Sequence, residues 1–285
     1  MGFGIADLSI IPMRSEQSER SEMISQILFG ELYEVLEIAE KWVYIRLLHD
    51  AYEGWIDKKM YVSVSNKYAT LYQEEEHLLA TEVFNIIMKD GEYGDKLIVS
   101  GSTFPFFDAN TQKMLIGEDT YILKSKMKEV SIDSLRDLLI ANSLMYYNTP
   151  YLWGGRSHYG IDCSGLSQIV FRMLGVTLPR DASQQVLKGE DIAFIEEALS
   201  GDLAFFGDDF GAITHVGVIW EQNRIIHSSG RVRVDKIDHQ GIFNEELKRY
   251  THNLKVIKRI LEQDCYLFYL LPQGHNKRSN PVYSN

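Results

Sequence analysis

Cys163 stands in the run Asp162-Cys163-Ser164-Gly165-Leu166, with His215 fifty-two residues further on and His227 twelve after that. A thiol and two imidazoles suit acyl transfer. One imidazole takes the thiol proton and later hands it to a leaving amine, while a second polar group fixes the tautomer of the first. A lone cysteine is more often a small buried hydrophobe, but the surroundings of Cys163 differ from a packing site. Upstream runs Tyr151-Leu152-Trp153-Gly154-Gly155-Arg156-Ser157-His158-Tyr159-Gly160-Ile161, whose glycines read as backbone access to the thiol. Downstream, Leu166, Ile169, Val170, Met173 and Leu174 recur with helical spacing and stop at Gly175. The thiol is therefore expected at a helix N-terminus, where unpaired N–H groups and the helix dipole favour thiolate. Cys/His/His is also a zinc donor set, but an obvious fourth ligand and a paired Cys-x-x-Cys or His-x-x-x-His motif are missing. No metal and no cofactor are expected. His49, His77, His239, His252 and His275 are assigned to surface or structural roles, and His158 to the loop before the thiol without a catalytic role.

His215 lies in the alternating run Ile213-Thr214-His215-Val216-Gly217-Val218-Ile219, and His227 at the end of the next, Ile225-Ile226-His227-Ser228. A hairpin through Glu221-Gln222-Asn223 would bring the two imidazoles together on adjacent strands. A third strand is expected at Asp202 to Gly207. Ahead of the thiol, Leu135, Leu138, Leu139, Met145 and Tyr146 line one helical face, capped by Ser131 or Asp133 and ended by Pro150. Helices followed by antiparallel strands give an α+β order.

Residues 1–62 carry short apolar runs at Ile5 to Pro12, Met23 to Phe29, Leu32 to Ile38, Trp42 to Leu48 and Gly54 to Ile56, which predicts a small all-β barrel. Residues 63–130 read as a diverged second copy: Gly94 to Val99 echoes Gly30 to Val35, and Phe104-Pro105-Phe106-Phe107 falls where Trp42 to Ile45 would. A third domain follows at 131–275, and 276–285 is a polar tail.

The 285 residues carry a formal net charge of −11, which argues against nucleic acid or an anionic membrane as partner. The two cysteines, Cys163 and Cys265, predict no structural disulfide, the second lying in a run that reads as a buried strand. Neither a signal-peptide pattern at the N-terminus nor an apolar run of about 18 residues is found. A cytoplasmic monomer is expected, or a periplasmic one had a signal been trimmed.

Taken as a set, Tyr-x-Trp-Gly-Gly at 151–155, Asp-Cys-Ser-Gly at 162–165, Pro-Arg-Asp at 179–181, Gly-Asp-Leu-x-Phe-Phe at 201–206, Thr-His-Val-Gly-Val at 214–218 and Ile-His-Ser at 226–228 resemble the motif order of the NlpC-type papain-like cysteine peptidases. The likeness covers residues 131 to about 272. It implies a papain-like domain with Cys163 as nucleophile, His215 as base, His227 as its orienter and Tyr151 near the oxyanion. The front of the chain is similar to a subgroup in which bacterial SH3-like domains precede the peptidase and murein peptides with a free N-terminal L-alanine are cut at the γ-D-glutamyl–diamino acid bond. That subgroup implies Asp162 as ligand of the α-ammonium, with Glu22 and Tyr52 of the first SH3-like domain closing the pocket and Trp153, Ser164 and Ser183 lining the cleft. The expected fold is thus α+β, a papain-like domain behind two SH3-like barrels, and the expected partners are short murein peptides.

Two other functions fit less of this pattern. A module that binds wall fragments would not need an intact Cys163, His215 and His227. A papain-like acyltransferase or amidase acting on lipid should show more apolar loop residues.

Overall fold

A computed structural model describes residues 2–126, 134–221 and 223–261. At the N-terminus, apolar and polar residues alternate along seven strands, in the sheet order Met23–Leu28, Ile10–Arg14, Glu53–Asp57, Trp42–Leu47, Leu32–Ile38, Gly2–Ile5 and Ser63–Val64. Their inward residues, Ile11, Met13, Ile27, Val35, Val43, Ile45, Leu47 and Ile56, make one core. The apolar run expected as a single strand from Ile5 to Pro12 is two strands. Between them the backbone of Ala6 is tied to Gly30 and Glu31, at 2.8 and 3.1 Å, which turns the chain at Asp7-Leu8-Ser9.

Residues 66–126 hold a helix that the alternation did not foretell, α1 (Asn66–Glu74), capped by the Ser65 side chain. A four-stranded antiparallel sheet follows, ordered Lys96–Val99, Phe84–Lys89, Asp119–Leu123, Lys113–Ile116, with a separate pair, Leu78–Leu79 and Thr103–Phe104. The segment echoing Gly30 to Val35 holds the strand Lys96–Val99, whereas the segment 104–107, expected in the place of Trp42 to Ile45, contributes only Phe104 to the two-residue strand Thr103–Phe104. Ile5, Phe29 and Leu32 share a core with Ile87, Ile98, Phe104 and Tyr121, so the two N-terminal units are packed as one body.

In the last unit α2 (Leu135–Met145) is capped by Ser134, whose side chain accepts the Asp137 N–H. The caps expected at Ser131 and Asp133 lie outside the described residues, as do Cys265 and the 276–285 tail. Helix α3 (Cys163–Arg172) begins at the thiol, and a short α4 (Ala182–Gln185) follows. Behind them runs a sheet ordered Glu190–Ile192, Arg249–Arg259, Leu203–Gly207, Ile213–Trp220, Arg224–Ser229, Arg231–Asp238, Gly241–Asn244, and the last strand also pairs with Arg249–Arg259. Six strands therefore close into a barrel. The expected hairpin is present, with Gly217 opposite His227. Four of the seven strands were not foreseen. In Arg231–Asp238 and Arg249–Arg259 charged side chains interrupt the apolar alternation, and pairing on both sides holds the strands instead. The unit is richer in strand than an α+β reading suggests, with α2 and α3 packed on the barrel through Leu139, Leu166, Ile169, Val170, Phe205, Val216 and Val218.

The first unit is joined to the last through a fully buried ion pair. Arg156 donates to both oxygens of Glu31, at 3.0 and 2.9 Å, and to the Gln26 carbonyl at 2.6 Å, while its backbone N–H donates to the Gln26 side chain. Both side chains have no solvent exposure. Burial opposes ionisation of Glu31, yet Arg156, His49 and Arg172 hold its carboxyl down at about 2. Among the described residues no helix is long and apolar enough to cross a membrane.

Candidate active site

Cys163 opens α3 behind Asp162, whose side chain caps the helix by accepting the Gly165 N–H at 2.6 Å. The sulfur is almost fully buried, and burial together with the Asp162 charge pushes the thiol up to about 11. Hydrogen bonds from the backbone of Val216 and Ser164 and the Arg180 charge pull the other way without winning. The expectation of a resting thiolate at a helix N-terminus is thus outweighed by desolvation. The flanking glycines also do something other than open the thiol to solvent. A Cβ on Gly154 would lie 2.2 Å from the Met23 carbonyl oxygen, and one on Gly165 2.3 Å from that of Gly155. They let backbones touch, the Trp153 loop against the first unit and α3 against that loop.

The imidazoles form a directed line. His215 Nε2 lies 2.9 Å from His227 Nδ1, and His227 Nε2 lies 3.1 Å from Asp235 Oδ2. Asp235 is gripped in turn by Arg233, at 2.7 and 2.9 Å. Burial, then the neighbouring His227 and His252, hold His215 well below the ordinary imidazole range; burial and Arg233 lower His227 as well. Both rings are therefore neutral at neutral pH. With each Nε2 carrying the proton toward the next acceptor, His215 Nδ1 is left as a free base. Gly217 makes this possible, since a Cβ there would be 2.9 Å from the Cβ of His227. His215 and Val216 share one strand, and the Val216 backbone bears on the sulfur, so the strand that carries this imidazole packs against the start of α3. Tyr151 feels the Cys163 and Asp162 charges; burial first, then those charges, push its hydroxyl up to about 12, so it stays an O–H donor beside the thiol.

Around the thiol, side chains of the first unit meet those of the last. The Trp153 indole N–H donates to Glu22, and both side chains are exposed. The Tyr52 hydroxyl donates to Asp181 at 3.2 Å. Asp50 fixes the Tyr52 loop, accepting from the Tyr52 N–H at 3.0 Å and from the Gln168 amide of α3 at 2.8 Å. Asp162 itself is saturated. Its oxygens take two bonds from Arg180, at 3.0 and 2.6 Å, the N–H groups of Gly154 and Gly165, and the Ser164 hydroxyl. Ser164 also accepts from Arg180 at 3.0 Å. Ser183 is exposed on α4, whereas Gln185 on the same turn points inward to Ser167, Ser164 and Pro179.

Residues 148–251 match the family model described as NlpC/P60 family, and residues 13–59 match that of the bacterial dipeptidyl-peptidase Sh3 domain. The chain carries an NlpC/P60 domain behind a bacterial SH3 domain. It is 27% identical over 248 residues to dipeptidyl-peptidase 6 of Lysinibacillus sphaericus, covering 79% of this chain and 88% of that one. To the gamma-D-glutamyl-L-lysine dipeptidyl-peptidase of Bacillus subtilis it is 28% identical over 228 residues, covering 72% of this chain and 71% of the relative. The crystal structure of an NlpC/P60 family protein from Bacillus cereus superposes with a TM-score of 0.75 at 19% identity, over 91% of this chain and all of that one, and so shares its fold.

In this NlpC/P60 domain three neighbours of the sulfur and imidazoles escaped the sequence reading. Asp181 stood in the Pro-Arg-Asp block without a role. Asp235 lies eight residues past His227 on a strand whose alternation was not recognised. His252, assigned to a surface or structural role, stacks on His215 with ring centroids 4.2 Å apart. Nothing near the last in sequence signals it, because barrel closure alone brings Arg249–Arg259 across from the histidine strands. His158, by contrast, stacks on Tyr146 at 3.8 Å under the second unit, a packing role.

Proposed function

We propose that the protein is a cysteine peptidase that hydrolyses the γ-D-glutamyl–diamino acid bond of short murein peptides with a free N-terminal L-alanine, the kind of fragment that wall recycling supplies. The observation that carries this reading is the meeting of Tyr52 with Asp181 beside Arg180 and Cys163's own N-cap. That corner places a carboxylate and a phenol from two domains at one end of the cleft, where an extended chain would have to pass. The names and domain pairing of the relatives support it.

In this mechanism His215 Nδ1 takes the Cys163 proton as the sulfur attacks the γ-carbonyl carbon. The carbonyl electron pair moves to oxygen, where the Tyr151 hydroxyl and the α3 N-terminus stabilise it. His227 and Asp235 hold the His215 tautomer and stabilise its imidazolium. The imidazolium then protonates the departing α-amine, leaving a thioester that water, activated by His215, hydrolyses.

The ammonium of L-alanine is assigned to Asp181, with Tyr52 and Glu22 around it, rather than to Asp162. Five hydrogen bonds fill the lone pairs of Asp162. Asp181 is half-buried and its carboxyl is raised by burial against the pull of Arg180, so a second cation would be welcome there. Asp162 acts instead as cap and as clamp for Arg180, and Glu22 with Trp153 forms an exposed rim in place of a blind wall. Residues 63–126 are read as a diverged second SH3-like unit, from the strand in the segment that echoes Gly30 to Val35 and the core shared with the first unit.

Mass spectrometry of L-Ala-γ-D-Glu-diaminopimelate and its N-acetylated copy, each incubated with wild type and Cys163→Ala, tests the proposal. Release of diaminopimelate from the free peptide alone, by wild type alone, is the expected result. Equal cleavage of both peptides would remove the ammonium corner, and equal activity of Cys163→Ala would remove the mechanism.

A further inference from the structure

His252 is the one imidazole at the site that the mechanism leaves without a task. It lies on Arg249–Arg259 opposite Ile242. A Cβ on Gly241 would lie 1.8 Å from the His252 carbonyl oxygen, so the strand Gly241–Asn244 closes the barrel tightly against this residue. Its Nδ1 is held 2.9 Å from the Thr251 hydroxyl, and its ring meets Phe206 edge-on at 6.0 Å. So fixed, it lies nearly parallel to His215, 26° between planes. His227 stands perpendicular to both, at 87° and 81°. One polar neighbour thus holds the edge of His215, while a flat one covers its face.

We propose that His252 is a positioning residue that holds His215 through its ring face and supports the imidazolium formed when Cys163 gives up its proton. This rests on the peptidase reading above. The Sγ–H bond breaks, the proton moves to His215 Nδ1, and the charge that appears on the ring is placed over a neutral π-system. A hydrogen bond to His227 alone leaves the ring free to tilt about that bond; the stacked plate removes this freedom. A protonated His252 would repel the imidazolium and lower His215, so the arrangement requires a neutral plate. Burial, then His227, hold His252 down at about 4, with Asp235 opposing, and Arg233 pairs with Asp235 behind them. An aromatic ring without a titrating nitrogen should therefore do the same work, and a cation should not.

The test compares His252→Ala, His252→Phe and His252→Lys by two readouts. On the murein tripeptide, His252→Ala should lose about tenfold in kcat, equivalent to about 1.4 kcal/mol, with KM within about twofold. His252→Phe should return to within about threefold of wild type, and His252→Lys should fall below His252→Ala. Independently of substrate, the rate of Cys163 alkylation by iodoacetamide is followed against pH. Its midpoint should move up in His252→Ala and stay near wild type in His252→Phe. Unchanged kcat and alkylation profile in His252→Ala, or equal impairment of the Ala and Phe variants, would overturn the proposal. Wild type that cleaves no murein peptide would sink the function reading, while the alkylation profiles would still decide the role of His252.

Discussion

Two of the contacts between the same two domains are built in opposite ways. At Arg156 and Glu31 the contact is a sealed ion pair, braced by the Gln26 carbonyl and surrounded by protein. At Glu22–Trp153 and Tyr52–Asp181 it is a pair of single hydrogen bonds between exposed or half-buried side chains. The sealed contact fixes where the first domain stands; the open one faces the cleft. The proposed specificity surface can be soft at its rim because its placement is decided elsewhere, by groups that cannot leave without stranding a buried charge.

Removing the carboxylate from the sealed contact should have the largest effect. Glu31→Gln leaves Arg156 uncompensated in the interior, and a loss of about 3–5 kcal/mol is expected in urea unfolding. The same pair sets an acid limit. Glu31 titrates lower in the folded chain than unfolded, so its contribution is present above about pH 4.5 and disappears as pH falls toward 2. In Glu31→Gln that segment of the stability curve should flatten.

Next come the groups assigned to the ammonium. Tyr52→Phe and Asp181→Asn should change stability by no more than about 1 kcal/mol, since the first loses one hydrogen bond and the second keeps an oxygen that accepts it. They should nevertheless narrow the preference for the free over the N-acetylated peptide by about ten- to a hundredfold in kcat/KM. Preserved preference in both variants would mean that the ammonium is held elsewhere. Glu22→Gln should do least, raising KM about two- to fivefold with kcat unchanged, because exposed charge pairs are worth little. A Glu22→Gln effect as large as that of Asp181→Asn would erase the distinction between rim and corner.

What the sequence disclosed follows the same division. Local signals were sufficient for α3, whose apolar spacing and Gly175 stop are written within a dozen residues, and for the His215–His227 hairpin. They failed where a residue's neighbours arrive from far along the chain. Asp162 matched a pattern, but the Arg180 guanidinium that fills its oxygens comes from a loop eighteen positions away. His252 looked idle because nothing adjacent to it in sequence shows that the barrel closes. The thiol was misjudged for a related reason: the helix N-terminus can be read from sequence, whereas the burial that outweighs it cannot.

The strand Ile213–Trp220 is flanked on both sides, by Leu203–Gly207 and by Arg224–Ser229, inside the closed barrel. In deuterium-labelling terms its amides should be among the last to exchange, opening only with the whole domain. The proposed base thus rides on one of the slowest-breathing parts of the molecule, and its aim persists for as long as the barrel itself.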